Sequence, residues 1–268
     1  MCRVTALFGT SNEKVTKEQC AKQLLMNGMK HNQDGYFIKA GAASLRTLDK
    51  AQYVRYFNKK QSVIASAPMV FMHQRTSTNK VSQEFVHGWK LEQYYCAHNG
   101  VGSHIPSIAT GNDSLDLFSG IDTDSADAVK AAYVRDGDGT YFMLDEEGSG
   151  YIFGETIYVA VPDANHELWA FSSKEDVFNN KYEYFTEKLV KAIGVINIVE
   201  KENQKLSFPT WTAVELRDTL LVLKTGVPIR EERLPQVTAY STLYNVHAGY
   251  TEYAERSIVR QNTIYDGE

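Results

Sequence analysis

A cysteine directly follows the initiator methionine in the opening stretch "MCRVTALFG". If Met1 is removed, Cys2 carries both a thiol nucleophile and a free α-amine. An α-amine titrates at about pH 8 and can take the thiol proton, so such a nucleophile needs no catalytic histidine. The opening residues therefore predict covalent catalysis by Cys2, with Met1 cleaved.

A nucleophile of this kind needs partners for the substrate and for the oxyanion of the intermediate. Asn99 and Gly100 end the stretch "LEQYYCAHNG" and offer a side-chain amide and an unhindered backbone N–H as oxyanion donors. Arg75 follows an apolar stretch and could clamp a carboxylate with its planar guanidinium. Asp122 or Asp124 could meet an ammonium group. Together these residues predict hydrolysis of the side-chain amide of an α-amino acid, and glutamine fits best.

In this order, the motifs resemble those of the class II glutamine amidotransferases, whose glutaminase domain is an N-terminal-nucleophile hydrolase. The family begins with Met-Cys, as this chain does. Its His-x-Arg-x-Ser/Ala-Thr motif is matched in full by "HQRTST", from His73 to Thr78. The resemblance implies that Arg75 binds the glutamine α-carboxylate with help from Thr78.

The remaining family motifs match less completely. "HNG" is present and implies that Asn99 and Gly100 form the oxyanion hole. The acidic motif resembles "DTDSAD", in which Asp124, or alternatively Asp122, would bind the substrate amino group, although Ala126 replaces the usual Glu. The family's Arg-Gly-Pro/Gln-Asp turn corresponds to "HNQDG", which keeps the last residues but places His31 and Asn32 at the Arg-Gly positions.

The intervening residues predict the elements that position these motifs. "RVTALFG" is typical of a strand that starts just after Cys2, and Thr16 with Gln19 predicts a capping box for the helical pattern "TKEQCAKQLLMNGMK". "HNQDGYFIKAGAASL" predicts a turn and a strand, "LDKAQYVRYFNKK" a short helix and "SVIASAPMVFMHQRT" a buried strand. "DTDSADAVKAAYV" predicts a helix whose start is capped by acidic and hydroxyl residues.

The fold class follows from the order of these elements. "TYFMLDE", "YIFGETIYVAVPD" and "HELWAFSS" predict antiparallel strands, and the pattern is helical from Lys174 to about Val199. Strands and helices without regular βαβ alternation predict an α+β fold. The resemblance implies a four-layer αββα sandwich of antiparallel sheets. We expect an amidotransferase-like domain over residues 1–200 and a C-terminal extension of unknown role over 201–268, packed on the main domain.

Composition excludes several functional classes. The net charge is -5 and no Lys/Arg cluster is present, which disfavours direct nucleic-acid binding. No apolar run approaches the roughly 20 residues that cross a bilayer, and no secretory signal is evident, so we expect a cytoplasmic protein without membrane contact. The cysteines Cys2, Cys20 and Cys96 lack metal-ligand spacing, and the latter two are expected in the core.

The predicted function is a glutaminase or glutamine amidotransferase that needs no metal or organic cofactor. The residues after 200 are too few for a synthase and lack a phosphate motif, so ammonia is expected to pass in trans to a synthetase or transferase. Two alternatives stay open. One is an N-terminal-nucleophile amidase for another amide or γ-glutamyl compound, and the other is a catalytically silent binding or inhibitory protein on the same fold.

Each candidate residue also has a structural interpretation. Cys2 alone would be read as a small buried residue at a strand start, and Asn99-Gly100 alone as a hairpin turn. His73 and His98 are expected to bond the backbone near the site rather than act as catalysts, because the α-amine already supplies a base. The two candidate aspartates could be helix caps.

Overall fold

A computed structural model of the chain describes residues 2–30, 32–77, 80–100, 110–123, 125–136, 138–179 and 208–235. The described helices and strands are, in chain order, β1 Arg3–Gly9, α1 Lys17–Met29, β2 Tyr36–Ala40, β3 Ala43–Thr47, α2 Lys50–Lys59, α3 Gln61–Ser66, β4 Met69–Gln74, β5 Trp89–Leu91, β6 Tyr94–Asn99, α4 Asp113–Ser119, α5 Ala126–Asp136, β7 Thr140–Leu144, β8 Gly150–Pro162, β9 Leu168–Ser172, β10 Trp211–Lys224 and β11 Val227–Arg233. The chain divides into two compact units, a first of residues 1–88 with 158–215 and a second of 89–157 with 216–268. None of the described helices is both long and apolar enough to cross a membrane.

The first unit contains an antiparallel sheet in the order β3, β2, β4, β1, β9, followed by the last residues of β8. In its centre, β1 pairs with β4 so that Arg3 lies opposite Gln74 and Phe8 opposite Met69. Apolar side chains of the strands and of helices α1, α2 and α3 form one buried core. Because of the β1–β4 register, Cys2, which directly precedes β1, lies beside the segment that follows β4.

Helix α1 begins as its sequence predicts. The Thr16 hydroxyl accepts the Gln19 N–H and the Gln19 side chain accepts the Thr16 N–H, which confirms the capping box. At the first position of the helix, the ammonium of buried Lys17 donates to three backbone carbonyls, those of Gly9, Ala67 and Pro68. Burial lowers the pKa of Lys17 to about 8. These bonds tie the start of α1 to the end of β1 and to the approach to β4.

The prediction of a single buried strand over "SVIASAPMVFMHQRT" is wrong for the first part of that stretch. Gln61–Ser66 forms helix α3, and β4 begins only at Met69. Pro68 separates the two elements, because a proline ring forces the preceding residue out of the helical region, and Ala67 has φ −65° and ψ 143°. Ile64 of α3 is fully buried, so the apolar residues that suggested a strand serve a short helix instead.

The second unit contains the first residues of β8 with β7, β6 and β5, paired antiparallel in that order. Helices α4 and α5 pack their apolar residues on this sheet. Helix α4 was not predicted, although Asn112 caps it by accepting the Leu115 N–H at 3.0 Å. In the predicted helix α5 the cap is a hydroxyl, since Ser125 Oγ accepts the Ala128 N–H at 3.1 Å. The described part of the C-terminal region is an unpredicted antiparallel hairpin, β10 with β11.

The described strands pair antiparallel, which confirms an α+β protein, and the four-layer αββα sandwich stays a prediction. Of the predicted helix after Lys174, the described part is a short 3₁₀ helix, Glu175–Phe178. The rest of that prediction, residues 180–199, lies outside the described residues.

Candidate active site

Cys2 lies in the first unit, immediately before β1, and its side chain is buried, with 8% exposed. The thiol donates a hydrogen bond to the Thr76 carbonyl at an Sγ–O distance of 3.7 Å. Thr76 belongs to the segment that follows β4, directly after Arg75. The sheet register thus brings the predicted nucleophile and the predicted carboxylate ligand to the same end of two neighbouring strands.

The three cysteines differ in what surrounds their sulfur atoms. Burial raises the pKa of the Cys2 thiol, whereas the nearby positive charges of Arg75 and Arg3 act in the opposite direction. Burial raises the pKa of Cys20 to about 12, and it also raises the pKa of Cys96. Cys2 is therefore the thiol whose surroundings include groups that favour the reactive thiolate.

Arg75 is 4% exposed and is fixed on several sides. Its backbone N–H donates to the Gly35 carbonyl at 2.8 Å, and its carbonyl accepts the Asp34 N–H at 3.1 Å. Its Nη1 donates to the Lys80 carbonyl at 3.2 Å, and its guanidinium carbon lies 5.9 Å from the Phe85 ring centroid. A guanidinium held in this way has a fixed orientation, which a carboxylate clamp requires.

The loop "HNQDG" and the motif "HQRTST" are joined by hydrogen bonds. Besides the two backbone bonds of Arg75, the Ser77 N–H donates to the Asp34 carboxylate at 2.7 Å. The Asn32 amide bonds both residues that flank Arg75, with its Oδ1 accepting the Thr76 hydroxyl and its Nδ2 donating to the Gln74 carbonyl. The two sequence motifs therefore form one polar cluster beside Cys2.

Asn99 and Gly100 lie in the second unit, where β6 ends. Asn99 pairs with Thr140 of β7 and is 5% exposed. A Cβ atom on Gly100 would lie 2.3 Å from His98 Nε2 and 2.4 Å from the Asp138 carbonyl oxygen, which leaves room for glycine alone. Gly139 meets the same turn from the other side with φ +91°, and a Cβ atom there would lie 2.3 Å from the Asn99 carbonyl oxygen.

His98 fixes this turn from within the core. Its Nε2 lies 2.6 Å from the Asp138 carbonyl, which can only accept, so Nε2 carries the proton. Its Nδ1 lies 2.9 Å from Ser114 Oγ of helix α4, and its ring stacks on Tyr141 with centroids 4.2 Å apart. Burial lowers the pKa of His98, which keeps the imidazole neutral at pH 7. This environment fits the structural role expected for His98.

The other predicted site residues divide into described and undescribed positions. Asp122 is exposed and lies before helix α5, where Ser125 Oγ accepts the Ala128 N–H, and the interpretation of Asp122 or Asp124 as a cap stays a prediction. Asp124, Thr78 and Met1 lie outside the described residues.

His73, on β4, is buried and stacks on His87 with centroids 4.2 Å apart. Across the described residues, no group of His, Cys, Asp or Glu side chains is placed to hold a metal ion.

Two residues of these clusters were not singled out from the sequence. Asn32 was noted only as a departure from the family pattern, and its sequence neighbours do not indicate a buried amide that bonds residues of two other segments. Ser114 was not placed in any predicted element, although the capping residue Asn112 followed by "DSLDLFS" is a signal for a short helix.

Comparison with known proteins gives similarity at the level of the fold. No family model and no curated protein matches this sequence. Among solved structures, the glutamine phosphoribosylpyrophosphate (PRPP) amidotransferase from B. subtilis, complexed with ADP and GMP, is similar with a TM-score of 0.52 and 14% identity over 88% of this chain and 50% of that chain. A glutamine aminotransferase class-II domain protein from Silicibacter pomeroyi aligns over 88% of this chain and 100% of that one, with a TM-score of 0.44 and 14% identity.

This chain thus spans about half the length of the PRPP amidotransferase chain. At 14% identity this similarity concerns the fold and does not extend to the chemistry. The fold of this chain is similar to that of the PRPP amidotransferase, in agreement with the resemblance of its sequence motifs to the class II glutamine amidotransferases.

Proposed function

We propose that this protein is a glutaminase domain of the class II amidotransferase type, with Cys2 as its N-terminal nucleophile after removal of Met1. The observation that carries the proposal is the placement of Cys2 beside Arg75. Of the three cysteines, Cys2 has a bond to the Thr76 carbonyl and two arginines near its sulfur, and one of them is the predicted ligand of the substrate carboxylate. The proposed fold is the four-layer αββα sandwich.

The reaction follows from the chemistry of these groups. The α-amine of Cys2 takes the thiol proton, and the thiolate attacks the side-chain amide carbon of glutamine. The Asn99 side-chain amide and the Gly100 N–H stabilise the resulting oxyanion. When the C–N bond breaks, the leaving nitrogen takes the proton and departs as ammonia, leaving a γ-glutamyl thioester. Water then hydrolyses the thioester, which gives glutamate and restores the thiol.

The substrate contacts follow the sequence prediction. Arg75 and Thr78 bind the α-carboxylate of glutamine, and Asp124 or Asp122 binds the α-amino group. The ammonia passes to a synthetase or transferase in trans. The acceptor is proposed only as an enzyme that consumes ammonia.

The first test changes the nucleophile. Cys2→Ala is expected to lower glutamine hydrolysis at least about 10³-fold, because removing a covalent nucleophile leaves only binding and oxyanion stabilisation. Intact-mass measurement of the wild type should show loss of Met1 and one adduct on Cys2 after exposure to an electrophilic glutamine analogue. The unfolding midpoint of Cys2→Ala in urea should stay near that of the wild type.

The matched control is Cys20→Ala, which removes a buried thiol from helix α1 within the same unit. It is expected to keep hydrolysis and the Cys2 adduct while losing some stability. Hydrolysis that survives in Cys2→Ala, or an adduct on Cys20, would contradict the mechanism. Turnover of another γ-glutamyl amide with none of glutamine would instead support the amidase alternative.

A further inference from the structure

Asn32 is a fully buried amide at the centre of the polar cluster beside Cys2. Its Oδ1 accepts two hydrogen bonds, from Arg3 Nη1 at 2.8 Å and from the Thr76 hydroxyl at 2.9 Å. Its Nδ2 donates to the Gln74 carbonyl at 2.6 Å. One side chain therefore bonds three residues from two different segments.

The identity of both amide atoms of Asn32 is fixed by these partners. A guanidinium can only donate, so the atom that faces Arg3 has to be the oxygen. A backbone carbonyl can only accept, so the atom that faces Gln74 has to be the nitrogen. Aspartate in this place would set two acceptors against each other, and glycine, which the family pattern has here, would bond none of the three. The cluster thus requires asparagine specifically.

The residues that Asn32 bonds are sequence neighbours of Cys2, the proposed nucleophile, and of Arg75, the proposed ligand of the substrate carboxylate. Arg3 follows Cys2, while Gln74 and Thr76 stand on either side of Arg75. Arg3 is the first residue of β1 and Gln74 the last of β4, so Asn32 acts where the β1–β4 ladder ends. Beyond that ladder, its bonds connect the segment of the nucleophile with the segment of the carboxylate ligand.

We propose that Asn32 is a positioning residue, which holds Cys2 and Arg75 at a fixed separation through Arg3, Gln74 and Thr76. The proposal rests on the proposed function, because it assigns Asn32 to the same reaction. A thiolate attacks efficiently only when the substrate carbonyl is held in line with it, and misplacement by about 1 Å can lower a rate about 10²-fold. Asn32 keeps the distance between the substrate's carboxylate ligand and the attacking sulfur.

The test compares Asn32→Ala with Asn165→Ala. Asn165 is a matched control because it is also buried in the first unit and makes three hydrogen bonds, two to the Thr10 and Val15 carbonyls and one from the Glu167 N–H. It acts near Thr10, which follows the opposite end of β1 from Cys2. Both variants should lose stability in urea to a similar degree.

The distinguishing measurement is the rate at which Cys2 reacts with two electrophiles, followed by intact mass. An electrophilic glutamine analogue needs both Arg75 and a positioned thiolate, whereas iodoacetamide needs only an accessible thiolate, so the ratio of the two rates reports recognition and positioning. Asn32→Ala is expected to lower the ratio of the two rates about 10²-fold, to lower kcat for glutamine and to raise KM. Asn165→Ala should keep the ratio, kcat and KM within about twofold, because it leaves the cluster intact.

A milder variant covers the case in which Asn32→Ala does not fold. Thr76→Val removes the hydroxyl that bonds Asn32 but keeps the shape of the side chain, and should lower the ratio about fivefold, as expected for one hydrogen bond. An unchanged ratio in the folded Asn32→Ala variant, or in Thr76→Val if the former unfolds, would overturn the positioning role. A wild type whose Cys2 reacts with iodoacetamide but not with the glutamine analogue would overturn the proposed function itself, and with it the reaction that Asn32 serves.

Discussion

In the first unit, the ends of β1 and β4 that carry Cys2 and Arg75 are joined by polar side chains, above all by the amide of Asn32. In the second unit, the turn at Asn99 and Gly100 lies against Asp138 and Gly139. The two are so close that a Cβ atom on either glycine has no room. The first region is held mainly by the hydrogen bonds of polar side chains, whereas the second depends on the absence of a side chain at Gly100 and Gly139.

The difference determines which substitutions each region tolerates. A hydrogen-bonded cluster fails when atoms are removed, because buried donors and acceptors lose their partners. A close-packed turn fails when atoms are added, because the interior has no space to receive them. The two regions therefore call for opposite experiments, truncation in the first and a single added methyl group in the second.

The largest effect is expected from adding a methyl group to the second region. Gly100→Ala places a Cβ atom 2.3 Å from His98 Nε2 and 2.4 Å from the Asp138 carbonyl, so the hydrogen bond between those groups has to break. The turn that carries the proposed oxyanion donors then shifts, and kcat for glutamine should fall about 10²- to 10³-fold. Overpacking should also lower the free energy of unfolding by about 1–3 kcal/mol, measured by urea titration.

Gly41→Ala is the control for the added methyl group. A Cβ atom on Gly41 meets nothing closer than 3.7 Å, so only its φ of +49° opposes the substitution, at a cost of about 1–2 kcal/mol. It should leave kcat unchanged. If Gly100→Ala kept full activity, the close packing of the turn would be irrelevant to catalysis and the comparison between the two regions would fail.

A smaller effect is expected from changing the charge and shape of Arg75 separately. Arg75→Lys keeps the positive charge but loses the planar fork, so KM for glutamine should rise about 10- to 100-fold with little change in the reactivity of Cys2. Arg75→Gln also removes the charge that lowers the pKa of Cys2, so the pH profile of Cys2 labelling should move to higher pH.

The control for both is Arg55→Gln, because Arg55 lies on helix α2 with 68% of its side chain exposed and should change neither measurement. A labelling profile for Arg75→Gln that superimposes on that of the wild type would show that Arg75 does not act on the nucleophile. The first region would then serve substrate binding alone.

Much of this arrangement was predictable from the sequence, because its signals are local. The capping box at Thr16 and the strands β1 and β7 follow from short patterns, and the motif resemblance indicated the fold. Helix α3 was predicted as part of a strand because the apolar residues before and after Pro68 form similar patterns in the sequence. A six-residue apolar segment satisfies a strand or a short helix equally well, and only the proline marks the boundary.

The supporting residues of the candidate site could not be predicted in the same way. Asn32 bonds residues at least 29 positions away in the chain, and Ser114 bonds His98, 16 positions away. The residues next to them in the sequence give no sign of these partners. A polar residue in a turn is usually solvated, so the sequence favours a surface position for both. Their burial becomes evident only when the strands that cover them are placed.

The smallest effect is expected from removing the Ser114 hydroxyl, which bonds the His98 ring in the second region. Ser114→Ala removes the hydroxyl 2.9 Å from His98 Nδ1 and leaves that buried nitrogen without it, so the free energy of unfolding should fall by about 1–2 kcal/mol. Because Gly100 and Gly139 still fit together, kcat should fall less than tenfold.

Ser66→Ala is the control, since the Ser66 hydroxyl is exposed and bonds only its own helix, and it should change stability by less than about 0.5 kcal/mol. A loss of kcat in Ser114→Ala as large as that in Gly100→Ala would mean that side-chain bonds, and not close backbone packing, hold the oxyanion turn, and the two regions would then be alike.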